Sequence, residues 1–139
     1  EGYGTYMAEV AEVSIDNGVP VVQHVWCAAD CGQMVNPSIV MAQIESSLLF
    51  GLSAALWGEI NLQGGRVQQG NFDTYRILRH GEIPKMHISL TDSAEAPGGI
   101  GEPATALVAP AVCNAIYAAT GRRLRSLPIS RHALGGRSA

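Results

Sequence analysis

Basic charge is scarce in this sequence. Nine Lys and Arg stand against twelve Asp and Glu, for a net charge of -3. A nucleic-acid binder needs a basic footprint, and none is visible. The one basic cluster, Gly121 to Arg125, reads as a solvated helix end, where cations suit the helix dipole. Cysteine is scarce too. Cys27, Cys31 and Cys113 are odd in number and form no CxxC pair, which speaks against a disulfide framework and a zinc site. They read as small buried hydrophobes. His24, His80, His87 and His132 show no HxxxH spacing, so each reads as structural or exposed and no metal ligand is assigned. The longest strongly apolar stretch, Ser47 to Trp57, is too short to cross a bilayer. No charged-then-apolar leader is visible. A first residue of Glu1 rather than Met suggests a fragment or a processed chain and leaves the compartment open.

What is present is enough for a core. The 139 residues are 47% apolar, close to the globular average, and read as a single domain over 1–139. Gly4 to Ile15 alternates small or apolar with polar residues, as a half-buried strand does. Asn17-Gly18 is a hairpin turn signal, and Val21 to Gly32 reads as the returning strand. A helix is predicted from about Pro37 to about Leu56, capped by Asn36 or Ser38, with Pro37 in its first turn. It is apolar around most of its girth, which predicts burial on several sides. Gly51 inside it costs roughly 1 kcal/mol against Ala, a cost that a close packing contact would explain. Trp57 to Asn71 reads as strand, Gly64-Gly65 turn, strand; Phe72 to Arg79 as a short extended segment; Lys85 to Asp92 as a strand. Pro103 to Thr120 is the second helix, ended by Gly121, with a late start or a kink expected at Pro110. Arg123 to Ile129 reads as a last short strand. The fold class is α+β: antiparallel hairpins packed with two main helices.

Four features bear on chemistry. Gly98-Gly99-Ile100-Gly101 delivers one carboxylate, Glu102, to the start of the second helix. Glycines let the backbone approach a ligand closely, and a carboxylate there can be partly desolvated into a useful base. The plainer reading is an acid stabilised by the helix dipole. Gln43 is an amide in an apolar helix; if buried it needs partners, from the protein or from a heteroatom-rich cofactor. The helix start at Asn36-Pro37-Ser38 has free N–H groups able to hold a phosphate. Ser46 and Ser47 lack a GxSxG or Ser-His-Asp context, so a hydrolase nucleophile is a poor reading and close packing a better one.

Three ordered blocks, Asp30 to Ile60, Gly65 to Arg79 and Gly98 to Ile129, resemble the C-terminal part of the molybdenum-binding subunit of the xanthine dehydrogenase and aldehyde oxidase family. Within that family the resemblance is nearest to bacterial two-subunit enzymes of the isoquinoline 1-oxidoreductase type. It implies a molybdenum hydroxylase that oxidises an aldehyde, or hydroxylates an N-heteroaromatic carbon, with oxygen from water. Glu102 would be the general base beside molybdenum. Gln43 would contact the pterin, Asn36 and Ser38 would lie near its phosphate-bearing end, and the backbone of Gly98, Gly99, Ile100 and Gly101 would line it. The implied cofactor is molybdenum-molybdopterin, in the cytosine dinucleotide form usual for bacteria. Electrons would leave through 2Fe-2S clusters on an iron-sulfur subunit, because this chain lacks the Cys sets such clusters need. The partners are then the rest of the molybdenum subunit, the iron-sulfur subunit and a small-molecule substrate, with no nucleic acid and no membrane span. Relatives occur in cytoplasm and periplasm. Where the family usually carries Gly-Gly after the helix Glu, this chain has Ser46-Ser47. The implied upstream cofactor loops lie outside this chain, so the isolated chain is expected to be inactive. The alternative is a non-catalytic α+β interaction or scaffold domain that keeps the fold without the cofactor.

Overall fold

The computed structural model describes residues 1–134; the single-domain expectation runs to 139, and its last five positions lie outside the described residues. Strands β1 (Tyr6–Asp16) and β2 (Val19–Asp30) form the long hairpin. Its two-residue turn has φ of 49° at Asn17 and 81° at Gly18, the pair of positive values that matches strand twist and that Asn-Gly tolerates. Alternate β1 residues, Met7 to Ile15, turn toward the core while their neighbours stay exposed. A bulge at Glu12/Val13 shifts the register once.

Helix α1 (Pro37–Trp57) starts where the capping chemistry placed it. Asn36 Oδ1 accepts the Ile39 N–H at 3.2 Å, and Pro37 occupies the first turn, where its missing N–H costs nothing. After α1 come a small exposed hairpin, β3 (Leu62–Gln63) and β4 (Arg66–Val67), and then β5 (Lys85–Leu90). Helix α2 (Pro103–Thr120) ends at Gly121, whose φ of 73° lets its N–H reach the Tyr117 carbonyl.

Both helices pack on one face of the sheet and on each other. Ile44, Leu48 and Leu52 of α1 meet Val108, Val112 and Ile116 of α2 over Val25, all fully or nearly fully buried. Each such side chain stabilises the fold by about 1.5–3 kcal/mol. Gly51 lies at the helix crossing. A Cβ there would come within 2.5 Å of the Thr105 carbonyl oxygen and 2.7 Å of Val108 Cγ1, so the close contact inferred from the sequence is present.

Several expectations change. The sheet is mixed, in the order β1-β2-β5, because β5 pairs with β2 in parallel. Alternation marks a strand but not its direction; the long connection through α1 brings the chain back to the same end. Helix α2 begins at Pro103 and continues through Pro110. Pro103 is at the first helical position, and Pro110 and Ala106, whose carbonyl Pro110 leaves without a partner, are both exposed to water. Phe72 to Tyr75 belongs to a turn held by Asn71 and Thr74 rather than to an extended segment. Arg123 to Ile129 forms no strand; it anchors Leu124 and Ile129 in the core, and a 3-10 turn follows over Ile129–Arg131. Helix α1 buries one face only, leaving Ile39 and Phe50 exposed. By length and composition α1 and α2 both match a membrane span, longer than the apolar run read from sequence, yet their buried faces build the core.

Candidate functional site

The Gly98–Gly101 loop is tied down from three directions. The Gly98 N–H donates to the Cys31 carbonyl at 2.9 Å, and the Gly99 N–H to the Tyr3 carbonyl at 2.8 Å. Thr5 Oγ1 donates to the Gly99 carbonyl at 2.7 Å, and Ser47 Oγ to the Gly101 carbonyl at 2.7 Å. Thr105 Oγ1 returns a bond to the Ser47 carbonyl at 3.2 Å. Ser47, which stands where the resemblance implies Gly, therefore uses its extra atoms to hold the loop against α1. The loop is rigid because four backbone groups are satisfied within the protein, while the Ile100 and Gly101 N–H groups have no protein partner among the described residues.

The three glycines do different things. A Cβ on Gly98 would come within 2.6 Å of Gly4 O and Thr5 Oγ1, and one on Gly99 within 2.9 Å of Tyr3 Cβ. Both are required by packing within the chain. Only Gly101 opens onto free space. Ile100 turns its side chain toward the core, so it offers a ligand its backbone alone.

Glu102 is the N-cap residue of α2, yet its side chain makes no capping bond. It is exposed rather than desolvated in this chain. It lines a cavity of about 370 Å³ with Tyr3, Thr5, Met7, Pro103 and Leu107. That places a carboxylate without a capping bond on a mostly apolar wall, directly after the loop in sequence.

Gln43 is exposed, so its amide has no need of a buried partner. It lies one turn before Ser47 on the same face of α1, the face that holds the loop. Asn36 and Ser38 are exposed at the start of α1. The connection into that start is bound to the segment before the loop, through the Gln33 N–H on the Glu95 carbonyl at 3.0 Å. Ser47, on the Gln43 face of α1, thus meets the loop, and the segment leading into α1 meets residues before the loop.

Two features escaped the sequence reading. Thr5, which fixes the loop together with Ser47, carries no motif. Glu9 alternates correctly for a β1 residue, but it faces inward opposite Cys27, and neither carboxylate oxygen has a partner among the described residues. Burial pushes Glu9 up to about 8 and Cys27 up to about 12, the latter helped by Glu9 itself. Cys27 is thus an inert buried thiol, as read from the sequence. An acid raised on folding leaves stability whole below its unfolded value near 4.5 and removes it as pH climbs to about 8. Glu9→Gln should melt like the parent at pH 5 and higher than the parent at pH 9, by the equivalent of about 1–3 kcal/mol. Thermal unfolding at the two pH values measures this, and a constant offset would disprove it.

Comparison with known proteins identifies the surroundings of this region. Residues 1–84 match the family model of the molybdopterin cofactor-binding domain. The chain is 36% identical over 126 residues to the isoquinoline 1-oxidoreductase subunit beta of Brevundimonas diminuta, covering 89% of this chain and 16% of that one. It is 38% identical over 130 residues to a membrane-bound aldehyde dehydrogenase of Gluconacetobacter polyoxogenes named for pyrroloquinoline quinone, covering 92% and 17%. Its fold superposes on the aldehyde oxidoreductase of Desulfovibrio gigas with a TM-score of 0.76 at 26% identity, over 89% of this chain and 14% of that one. The chain thus spans a small part of the length of these relatives. With the family model covering more than half of it, the chain belongs to the molybdopterin cofactor-binding domain family, as found in molybdenum-binding subunits of the xanthine dehydrogenase and aldehyde oxidase group.

Proposed function

We propose that this chain is a working part of a molybdenum hydroxylase subunit that oxidises an aldehyde or hydroxylates an N-heteroaromatic carbon with oxygen from water, and that Glu102 is its general base. One observation carries the assignment: Glu102 leaves its capping role unused and offers a free carboxylate to a cavity, next to a loop held rigid by Thr5 and Ser47. An acid present only for the helix dipole has no use for such a scaffold.

The residues present fit the pterin cofactor as hydrogen-bonding groups. The free N–H donors of Ile100 and Gly101 suit its heteroatoms, and the open space at Gly101 admits it. Asn36, Ser38 and the start of α1 suit an anionic phosphate end. Gln43 offers both a donor and an acceptor. Gly98 and Gly99 contribute by shaping the loop from behind. When bound, the molybdopterin, in its cytosine dinucleotide form, supplies the two-electron oxidation. Glu102 accepts the proton from the water-derived hydroxyl as oxygen is delivered to substrate. Tyr3, Met7 and Leu107 line the cavity beside it and favour an apolar substrate. The 2Fe-2S clusters that would accept the electrons would belong to an iron-sulfur subunit.

The test is metal and pterin analysis of the intact protein, co-expressed with its neighbouring subunits. Stoichiometric molybdenum and pterin are expected; their absence from folded protein would favour the non-catalytic scaffold. The 139-residue chain alone should retain no tightly bound molybdenum, because it holds one wall of the site. Stoichiometric metal in the purified chain would overturn that division.

A further inference from the structure

The one basic cluster of the sequence does not sit where a helix dipole would use it. Helix α2 ends at Thr120 with no basic residue in its last turn, and Arg122, Arg123 and Arg125 all follow the Gly121 cap. From there the chain turns back along α2, with Leu124 buried as its anchor. Arg122 donates to the Ala133 carbonyl. Arg123 Nη1 donates to Asn114 Oδ1 at 2.6 Å, and its guanidinium lies 3.9 Å from the centre of the Tyr117 ring. Between this segment and α2 is a cavity of about 540 Å³. Arg123 and Arg125 line it, Pro110, Cys113 and Leu127 are among its apolar walls, and no carboxylate borders it among the described residues. It shares no residue with the cavity beside Glu102.

We infer that this cavity binds a small amphipathic anion: a carboxylate or phosphate carried on an apolar body. An arginine presents its N–H donors in a planar fork that matches the paired oxygens of such head groups. One donor of Arg123 goes to Asn114, and the Tyr117 ring holds the plane of the fork, so its other donors are oriented before a ligand arrives. Arg125 enters neither ion pair found among the described residues, Arg76–Glu82 and Arg131–Glu59, so a second positive charge is open to the same anion. Two like charges on one cavity repel, and an anion between them relieves that repulsion. The apolar walls give the anion's body a place to leave water, which a bare inorganic ion would not use. The volume falls within the range of about 300–1,000 Å³ common to small-molecule sites. The inference stands whether or not the molybdenum reading does.

Cys113 reports occupancy, because it lines the cavity and is partly accessible while Cys27 and Cys31 are buried. The test is alkylation of Cys113 by monobromobimane in the intact protein with its neighbouring subunits, followed by peptide mass spectrometry. 2-Naphthoate or 2-naphthyl phosphate should protect Cys113 saturably, and the tighter of the two identifies the head group. 2-Naphthalenemethanol, the same body without the charge, should need about 10-fold more for equal protection. Arg123→Gln and Arg125→Gln should each raise the protecting concentration of the anion about 10-fold. Arg125→Gln is the decisive variant, because Arg125 makes no hydrogen bond among the described residues whose loss could disturb the fold. Arg66→Gln, an equal change of charge on β4, should leave protection unchanged. Equal protection by the anions and the alcohol, or unchanged protection in Arg125→Gln, overturns the site. Full protection by inorganic phosphate at the same concentration overturns the amphipathic ligand. A Cys113 that resists labelling in the intact protein without any added ligand shows that another polypeptide fills the cavity, and overturns the small-molecule assignment.

Discussion

Glu102→Gln in the intact, cofactor-loaded enzyme should slow reduction of the metal centre by substrate about 10²–10⁴-fold. The variant should keep its fold and its cofactor. Gln has nearly the size and shape of Glu, and the native side chain makes no capping bond that the change could break. It is exposed, so no buried partner is orphaned. Only the proton acceptor is removed. Substrate binding should change less than the rate, because the cavity wall of Tyr3, Met7 and Leu107 is untouched. A helix-end charge predicts a different result: a stability change of roughly 0.3–1 kcal/mol and near-normal turnover. Rapid-reaction measurement after molybdenum and pterin have been quantified separates the two. A fully loaded Glu102→Gln enzyme reduced at the parental rate would remove Glu102 from the mechanism.

The parts of this molecule legible in its sequence are those governed by local chemistry. Asn17-Gly18 announced the hairpin because few other dipeptides accept positive φ at both positions. Asn36-Pro37 and Gly121 marked helix ends for equally local reasons. The same holds for the Gly98-Gly99-Ile100-Gly101 turn that presents Glu102. What stayed hidden depends on distant segments meeting. The parallel pairing of β5 follows from a long connection whose course no short window contains. The hydrogen bond between the His24 and His87 rings depends on that pairing, and histidine spacing along the chain could not reveal it. Arg123 to Ile129 reads as a short strand, but a strand also needs an edge to join; here Leu124 and Ile129 serve as plugs for the core. The glycines show the limit most directly. Their sequence pattern suggested room for a cofactor, whereas Gly98 and Gly99 are small because Gly4, Thr5 and Tyr3 press on the loop from within.

Gly51→Ala should destabilise the chain although Ala is the better helix former. Helix propensity alone favours the substitution by about 1 kcal/mol. Against this, the new Cβ would meet the Thr105 carbonyl oxygen at 2.5 Å and Val108 Cγ1 at 2.7 Å. The first is backbone of α2 and cannot turn aside; the second belongs to a fully buried side chain. The helices must separate, loosening Leu48, Leu52 and Val112 at the shared core. Overpacking of this kind costs typically about 1–3 kcal/mol and sometimes more, so the steric term should exceed the propensity gain. The consequence reaches the site. Ser47 lies one turn before Gly51 and joins α1 to both the Gly101 carbonyl and Thr105, so parting the helices strains the bonds that seat Glu102. Denaturant unfolding should show a lower midpoint for Gly51→Ala, and Gly51→Val should fall further. In the intact enzyme the same substitution should lower cofactor content, a loss that Glu102→Gln does not share. A Gly51→Ala chain as stable as the parent would show that α1 and α2 can part at no cost, and that the loop is held by something other than their close crossing.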